Sequence, residues 1–443
     1  MKKYLYVVVI LLMVTISSGC SKKNDFQEAN KNDESKQEPS LSGLVIYETE
    51  AYTYLASENQ GIYILKKINA DINDYVNITY SGTLDTTKDY QDIEVKNMEK
   101  RNDRFLLTGF ASKDKEQAEV VVDKMTLEEV VGSLFVPHHT SSSLEDIAKY
   151  HLGGLVLFGA AFKNKTKEEV VKMTNDLQNQ ATIPLLLAVD EEGGSVVRIS
   201  SNKKLRDTAF SSPRTLYNQG SFNLIEKDNQ EKNELLVSLG LNVNLAPVLD
   251  ISTDKNDYIY YRSIGLSPEL TGEFAKRIIN SSKNSGVVNV MKHYPGYGKN
   301  KDTHKTSSLD RRTLEEVEND LIPFKMAIES GASAIMISHN TVEAFDNSNP
   351  ASISISNHNY LRNNLNFEGM IITDALNMGA TASIDDIGLK AILAGNNILI
   401  TKNYVRDISD IINYVKEGKL SEEYLRSLAK KMIAWKIEMG LIK

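Results

Sequence analysis

The sequence contains a single cysteine among its 443 residues, Cys20, which excludes a disulfide framework and a cysteine metal site. It also lacks a block of positive charge. Its 51 Lys and Arg against 59 Asp and Glu give a net charge of −8, which disfavours nucleic-acid binding. The apolar run from Tyr4 to Ile16 is too short to span a bilayer comfortably. The remaining composition, 41% hydrophobic and 25% charged, predicts a globular protein of two or three domains.

Residues 1–20 have the pattern of a secretory signal peptide. Lys2 and Lys3 precede the apolar run, and Ser17-Ser18-Gly19-Cys20 follows it. Small residues directly before a cysteine resemble the bacterial lipoprotein box, although Ser17 stands where leucine is more usual. The alternative is an ordinary signal peptide with an incidental cysteine. We expect lipidation of Cys20, a disordered polar linker over residues 21–40, and a body anchored at the extracytoplasmic face of the cell membrane.

Residues 41–112 show a β pattern. Short β-branched or aromatic runs are separated by turn residues, and the predicted strands are Gly43–Tyr47, Ala51–Leu55, Gly61–Leu65, Tyr75–Tyr80 and Asp92–Val95. Five short strands in this space predict a small all-β domain of the OB-like type. Its aromatic residues fit a core better than a ligand surface, so we assign it no chemistry.

Residues 113–443 alternate between strand and helix patterns. The predicted buried strands are Ser133–Val136, Gly154–Phe158, Pro184–Val189, Asn242–Ala246, Val287–Met291, Ala332–Ile337, Met370–Thr373 and Asn397–Ile400. Amphipathic helices are predicted between or after them at Lys165–Gln180, Pro268–Asn284, Thr313–Ser330 and Ser421–Ile437. Eight alternations over this length predict a (β/α)8 TIM-type barrel. A doubly wound open sheet is the alternative.

Polar side chains gather where the predicted strands end, which is where an α/β barrel carries its active site. The segments concerned are Asp190–Arg198, Ala246–Asp250 with Tyr260–Gly265, Lys292–His293, Ser338–Asn340 and Asp374–Met378. A single strand-end Asp is often only a helix cap. Five such segments in succession favour one shared site.

The site also has a loop rich in proton-transfer groups, the stretch KHYPGYGKNKDTH from Lys292 to His304. Asp302 and His304 are two residues apart, so in an extended loop they face the same side and the carboxylate can orient the imidazole. Glycoside hydrolysis with retention needs a nucleophile and a proton donor. Asp374, at a strand end, suits the first role, and His304 suits the second. The usual arrangement uses two carboxylates, so a histidine is a departure.

The motifs KHYPGYG, DEEGGSVVR, NLAPVLD, YRSIG, DTH and ITDALNMGA together resemble glycoside hydrolase family 3, in its β-N-acetylglucosaminidase branch. The resemblance covers the chain from about Lys113 onwards. It implies a retaining β-N-acetylhexosaminidase with a covalent glycosyl-enzyme intermediate. It further implies Asp374 as nucleophile and the pair Asp302 and His304 as acid/base. The implied sugar-binding positions are Asp190, Arg198, Arg262, Lys292 and His293, and His339 lines the same pocket.

The chain departs from the commoner loop of the family, KHFPGHGDT, because Tyr297 and Lys299 replace a histidine and an aspartate. β-Glucosidase members take their acid from a further domain; here the sequence stops at Lys443, so we expect the histidine-based branch. The expected substrate is terminal β-linked N-acetylglucosamine on cell-wall muropeptides or related glycans. We expect no cofactor, no metal and no obligate protein partner.

Three other functions stay open at this stage. One is a non-catalytic, lipid-anchored glycan-binding protein, and another is a β-glucosidase or phosphorylase of the same family. The third is a metal-dependent hydrolase with a ligand set of His138, His139, His293, Asp302, His304 and His339. Its weakness is that His138 and His139 are adjacent and point apart.

Overall fold

The computed structural model describes residues 38–105, 107–109, 112–298, 302–303, 305 and 307–443. Residues 39–443 form one compact unit. The predicted signal peptide, Cys20 and nearly all of the predicted linker lie outside the described residues, as does His304. Within the described part of the chain, no helix has the length and apolar character needed to cross a membrane.

The first part of the chain forms an antiparallel sheet of five strands. These are β1 (Ser40–Glu48), β2 (Tyr52–Ala56), β3 (Ile62–Lys66), β4 (Tyr75–Ser81) and β5 (Glu94–Lys100). Their order is β3-β2-β1-β4-β5. Alternate apolar residues of these strands pack into one cluster, so the predicted β pattern corresponds to a real sheet. A single parallel bridge joins Ile64 of β3 to Tyr90, just before β5.

This sheet is attached to the following α/β part through hydrogen bonds. The side chain of Asn359 accepts from the Ile62 amide at 2.9 Å and donates to the Ile62 carbonyl at 2.7 Å. The Ser421 amide donates to the Ile46 carbonyl at 2.9 Å. Both contacts satisfy buried backbone groups, which ties the sheet firmly to the rest of the compact unit.

The α/β part carries the remaining elements. Its helices are α1 (Ser112–Val122), α2 (Leu127–Ser133), α3 (Ser143–Tyr150), α4 (Gly159–Phe162), α5 (Lys167–Gln180), α6 (Pro213–Ser238), α7 (Pro268–Ser281), α8 (Leu314–Glu329), α9 (Ile355–Asn359), α10 (Ile387–Ala394), α11 (Tyr404–Lys416) and α12 (Glu422–Glu438). Its strands are β6 (Gly154–Val156), β7 (Leu186–Val189), β8 (Val243–Asn244), β9 (Val288–Asn289), β10 (Met291–Tyr294), β11 (Leu309–Asp310), β12 (Ala334–Ile337), β13 (Thr341–Val342) and β14 (Met370–Thr373).

The main strands are parallel and follow one another in chain order. One sheet runs β6-β7-β8-β9 and another runs β10-β12-β14. Parallel bridges extend them: Val248 to Lys292, Ile372 to Ile398, Leu399 to Phe135, and His138 to Val156. The pairings therefore lead through eight chain segments and return to the first. Apolar side chains from these segments meet in one central cluster that includes Val156, Ala188, Val243, Val290, Met336, Ile372 and Ile400. This is an α/β fold with a TIM-like domain.

The predicted first strand, Ser133–Val136, is wrong in its bounds. Residues up to Ser133 belong to α2, and beyond it Phe135 makes a single bridge. The Thr126 hydroxyl and the Glu129 carboxylate form a capping box, which stabilises a helix that ends at the first residue of the predicted strand. A short apolar run does not distinguish a buried helix from a buried strand.

Candidate active site

A cavity of about 310 Å³ opens at the carboxyl ends of the parallel strands. Its apolar floor includes Val156, Leu245, Met336 and Ile400, which come from the central cluster of strand residues. Its wall carries polar and aromatic side chains: His138, Phe158, Asp190, Glu192, Arg198, Tyr258, Arg262, Lys292, His293, Asp374, Asn377 and Lys402. Six of the predicted site residues therefore surround one space, as expected for side chains that follow parallel strands.

A buried ionic network crosses the wall. Glu192 accepts from Nε and Nη2 of Arg262 at 3.0 and 2.7 Å, and the Lys292 ammonium lies 2.7 Å from the same carboxylate. Lys292 also donates to Asp190 at 2.8 Å. Arg198 lies 3.8 Å from Asp190 at the outer end. The network holds cationic and anionic groups at fixed positions around the cavity, where vicinal hydroxyls could bridge them.

The network keeps its members charged. Burial alone would raise the pKa of the Glu192 carboxyl, but the charges of Arg262 and Lys292 outweigh it and hold that pKa far below the usual range. Burial alone would lower the pKa of the Lys292 ammonium, yet the carboxylates of Asp190 and Glu192 raise it. Opposite charges at this distance in a poorly solvated site are the physical cause.

His293 is fixed by a second aspartate, Asp250. The His293 ring donates from Nδ1 to Asp250 at 2.7 Å, and the His293 backbone amide donates to the same oxygen at 3.1 Å. Nη2 of Arg262 lies 3.3 Å from Nε2 of the ring. A guanidinium can only donate, so Nε2 is the acceptor and the proton is on Nδ1. The ring is therefore held in one orientation at the cavity wall.

Asp374 follows β14 directly and is half-buried at the cavity. Its amide donates to the Ile337 carbonyl of the neighbouring strand at 3.0 Å, and its Oδ1 accepts from the Ala375 amide at 2.7 Å. Both bonds fix the position of the carboxylate, because one anchors the backbone and the other selects a side-chain orientation. A rigid carboxylate facing an enclosed space is the arrangement that a nucleophile requires.

His339 differs from its predicted position in the pocket. It is buried, and it does not belong to the described cavity lining. Its Nε2 donates to the Ala375 carbonyl at 3.0 Å, and its Nδ1 lies 2.8 Å from the Ser352 hydroxyl. Strand-end position alone does not tell whether a side chain faces the cavity or the helices behind it. His339 supports the turn after Asp374 from behind the wall.

Asp302 lies near the cavity without lining it. Its negative charge acts on the Tyr258 hydroxyl, whose pKa is raised by burial first and then by Asp302, and Tyr258 lines the cavity. The Asp302 carbonyl accepts from the Lys305 amide at 3.1 Å. His304, the predicted proton donor, lies outside the described residues, so its role stays a prediction.

The sequence did not single out Glu192 or Asp250 from their neighbours. Glu191 and Glu192 are both buried, yet Glu191 accepts from the backbone amides of Arg198 and Ile199, each at 2.8 Å. Only Glu192 reaches the ionic network. The signal that both follow a strand end was present, but the direction of each side chain depends on the turn after β7. Among the described residues, no group of three or more His, Cys, Asp and Glu is arranged to hold a metal ion.

Comparison with known proteins decides the family. Residues 126–434 match the model of the glycosyl hydrolase family 3 N-terminal domain. The chain belongs to this family. The match covers the elements that build the cavity, from α2 to α12, and leaves the five-stranded sheet outside. It confirms the assignment that the dispersed motifs of the sequence predicted.

Named relatives of this family 3 protein are β-hexosaminidases. It is 29% identical to β-hexosaminidase A of Pseudoalteromonas piscicida over 64% of this chain and 50% of the relative. It is 31% identical to a Nitrosomonas eutropha β-hexosaminidase over 57% of this chain and 74% of the relative. The chain thus spans half the length of the first relative.

The chain also resembles a solved structure of this family. A glycoside hydrolase family 3 β-N-acetylglucosaminidase from a Paenibacillus strain is 26% identical, with a TM-score of 0.67. The likeness covers 72% of this chain and 63% of the other. It supports the α/β fold with a TIM-like domain.

Proposed function

We propose that the protein is a retaining β-N-acetylglucosaminidase that removes terminal N-acetylglucosamine from amino-sugar glycans. The observation that carries the proposal is the position of Asp374, held at the end of β14 and facing an enclosed cavity with a charged wall. The names of the relatives support the choice of sugar. The cavity volume of about 310 Å³ is at the small end of ligand pockets, which favours a single terminal sugar ring.

The charged wall supplies the sugar contacts in this proposal. Asp190 accepts from sugar hydroxyls, while Arg198, Arg262 and Lys292 donate to their oxygens and His293 adds a fixed imidazole edge. These groups are already held by one another, at 2.7 to 3.0 Å between Glu192 and its two cationic partners. Little side-chain freedom is therefore lost when a sugar binds.

The reaction proceeds in two steps. The Asp374 carboxylate forms a bond to the anomeric carbon while the bond to the leaving oxygen breaks, and that oxygen takes a proton from the His304 imidazolium. The neutral imidazole then removes a proton from water, whose oxygen attacks the anomeric carbon and releases Asp374. Asp302 orients the imidazole and stabilises its protonated form. Both inversions occur at one carbon, so the configuration is retained.

The direct test compares wild type with Asp374→Asn on an aryl β-N-acetylglucosaminide. We expect the variant to lose at least about a thousandfold in kcat while it still binds N-acetylglucosamine. Asp176→Asn is the control, because Asp176 pairs with Lys172 on an exposed helix surface at 2.6 Å. Equal activity of the wild type and Asp374→Asn would contradict the proposal. Negligible activity in the wild type, with sugar binding intact, would favour the glycan-binding alternative.

The location and natural substrate are part of the same proposal. Lipidation of Cys20 would anchor the enzyme at the extracytoplasmic face of the membrane, where muropeptides and related glycans occur. Metabolic labelling with a palmitate analogue tests it: wild type should be labelled and sediment with membranes, whereas Cys20→Ala should be unlabelled and recovered in the supernatant. Label on the Cys20→Ala protein would contradict the assignment.

The finer fold assignment is proposed as well. The return of parallel pairings to Phe135 supports a closed (β/α)8 barrel over residues 113–443, since an open sheet would leave its first and last strands unpaired. The parallel bridge between Ile64 and Tyr90 supports an OB-like arrangement over residues 41–112. A crystal structure with an open edge at Phe135 would contradict the barrel.

A further inference from the structure

Tyr297, which takes the place of a histidine in the commoner form of the loop, is bound to the segment that carries the predicted acid/base pair. Its side chain is 1% exposed and packs with Val248, Ile259 and Tyr258. Its hydroxyl lies 2.5 Å from the hydroxyl of Thr303. Thr303 is fully buried and stands between Asp302 and His304 in the sequence. One side-chain hydrogen bond therefore fixes the residue in the middle of the Asp-x-His motif.

Thr303 is also bound to the segment that follows Asp374. The amide of Ala380 donates to the Thr303 carbonyl at 3.1 Å. The side chain of Thr303 thus faces Tyr297 while its carbonyl faces the chain six residues after Asp374. A residue held from two directions in this way connects the two halves of the predicted catalytic machinery.

The backbone of Tyr297 is also held by a hydrogen bond. Its backbone amide donates to Oδ1 of Asp250 at 2.7 Å, and Oδ2 of the same carboxylate holds the His293 ring at 2.7 Å. The rings of Tyr297 and His293 also meet edge to face, with centroids 5.2 Å apart. Any displacement of Tyr297 would therefore disturb a fixed network, which makes its hydroxyl a rigid attachment point.

The next residue shows how closely the chain is packed at this point. Gly298 has a φ of +54°, and a Cβ there would lie 2.4 Å from the Arg312 guanidinium. Arg312 in turn lies 2.7 Å from Asp310 and 2.8 Å from Asp320. The chain thus passes over an ion-paired arginine directly after Tyr297, which restricts the position of the backbone at this point.

Resting on the proposed function, we propose that Tyr297 is a positioning residue for the predicted acid/base motif. Its hydroxyl holds Thr303, and with it the neighbouring Asp302, against the chain after Asp374. A histidine at this position would titrate near neutral pH. Tyr297 does not, because burial and then the charge of Asp374 raise the pKa of its hydroxyl far above the usual range. The attachment is therefore independent of pH over the range in which the enzyme works.

The test is Tyr297→Phe, measured on N-acetylglucosaminides with leaving groups of increasing acidity. Proton donation matters most for poor leaving groups, so kcat for unsubstituted phenyl should fall by about tenfold to hundredfold while dinitrophenyl stays within about twofold. Thr303→Val should reproduce this selective loss. Thr303→Ser keeps the hydroxyl and should therefore retain wild-type activity on every leaving group. Equal losses for all leaving groups, or none, would overturn the proposal.

Tyr294→Phe is the matched control. It deletes another buried tyrosine hydroxyl three residues earlier, at the end of β10, one that donates to the Asn357 carbonyl at 3.3 Å, and Tyr294 does not belong to the described cavity lining. We expect it to show no dependence on the leaving group. Should Tyr297→Phe fail to fold, Thr303→Val carries the same test.

Hydrogen exchange separates this inference from the proposed function, because it needs no activity. The Ala380 amide should exchange at least about tenfold faster in Tyr297→Phe than in wild type, since the carbonyl it binds is no longer held. Unchanged exchange at Ala380 would overturn the role of Tyr297 even in an active enzyme. An inactive wild type with faster Ala380 exchange in the variant would overturn only the proposed function.

Discussion

Replacement of Glu192 by glutamine tests the ionic network of the cavity wall. The Glu192 side chain is 3% exposed, and its two cationic partners, Arg262 and Lys292, are 13% and 2% exposed. Glutamine keeps the size of the side chain and one acceptor oxygen but removes the negative charge. Asp190, which lies 2.8 Å from Lys292, then remains as the carboxylate partner of that cation.

The expected loss of stability in Glu192→Gln depends on which cation loses its anionic partner. Breaking a buried ion pair costs about 3–5 kcal/mol, because an uncompensated charge remains in a poorly solvated site. Lys292 keeps its ion pair with Asp190, whereas Arg262 loses the negative charge to which it donates both of its bonds at Glu192. We therefore expect the free energy of unfolding to fall by about 3 kcal/mol, the lower end of that range. The Michaelis constant should rise, since Arg262 no longer faces the cavity in a fixed orientation.

Urea denaturation at pH 7 measures the first effect, and Glu231→Gln is the control. Glu231 forms a similar bond to Arg206 at 2.8 Å, but it is 57% exposed, and an exposed pair contributes at most about 1 kcal/mol. The charges of Arg262 and Lys292 depress the pKa of Glu192 from its ordinary value of 4.5, against the effect of burial. Its stabilisation is therefore complete above that value and lost as pH falls below it. Equal losses in Glu192→Gln and Glu231→Gln would refute the reasoning.

Three further outcomes are expected. His304→Ala should slow aryl N-acetylglucosaminides with poor leaving groups by at least about a hundredfold more than activated ones, and a leaving-group plot of equal slope to wild type would contradict its role. Burial and then Lys402 lower the pKa of His138 from 6.5 to about 4; the protein should therefore lose stability as pH falls through this interval, and His138→Gln should lose less on thermal unfolding. Burial lowers the pKa of Lys436 from 10.5 to about 7, so stability should fall as pH decreases from 10.5 to 7. Lys436→Met should remove this dependence of the free energy of unfolding on pH, measured by urea titrations at pH 7 and pH 9. The same difference between the two pH values in the variant as in the wild type would contradict it.

The sequence was informative where chemistry and strand ends coincide. Asp190, Arg198, Arg262, Lys292, His293 and Asp374 were predicted to share one site, and the structure gathers them around one cavity. The likeness of the motifs to family 3 was confirmed by the match over residues 126–434. Residues far apart in the sequence lie around one cavity because parallel strands bring their carboxyl ends to one face whatever lies between them.

The sequence did not predict the direction in which each side chain points. Glu191 and Glu192 are chemically identical neighbours, yet the first braces a loop and the second joins the ionic network. His339 follows a strand as His293 does, but its ring points behind the wall to the Ala375 carbonyl. These directions depend on turn geometry and on which backbone groups need a partner, which are tertiary properties. The end of α2 at Ser133, the first residue of the first predicted strand, has the same origin.

The central claim is that Asp374 forms a covalent bond to the sugar. The most direct measurement incubates the enzyme with a fluorinated N-acetylglucosaminyl fluoride that forms the intermediate quickly and releases it slowly, followed by peptide mass mapping. The account predicts one added sugar on the peptide that contains Asp374, and none on Asp374→Asn. A sugar attached to any other peptide, or turnover of the reagent by Asp374→Asn at the wild-type rate, would contradict it.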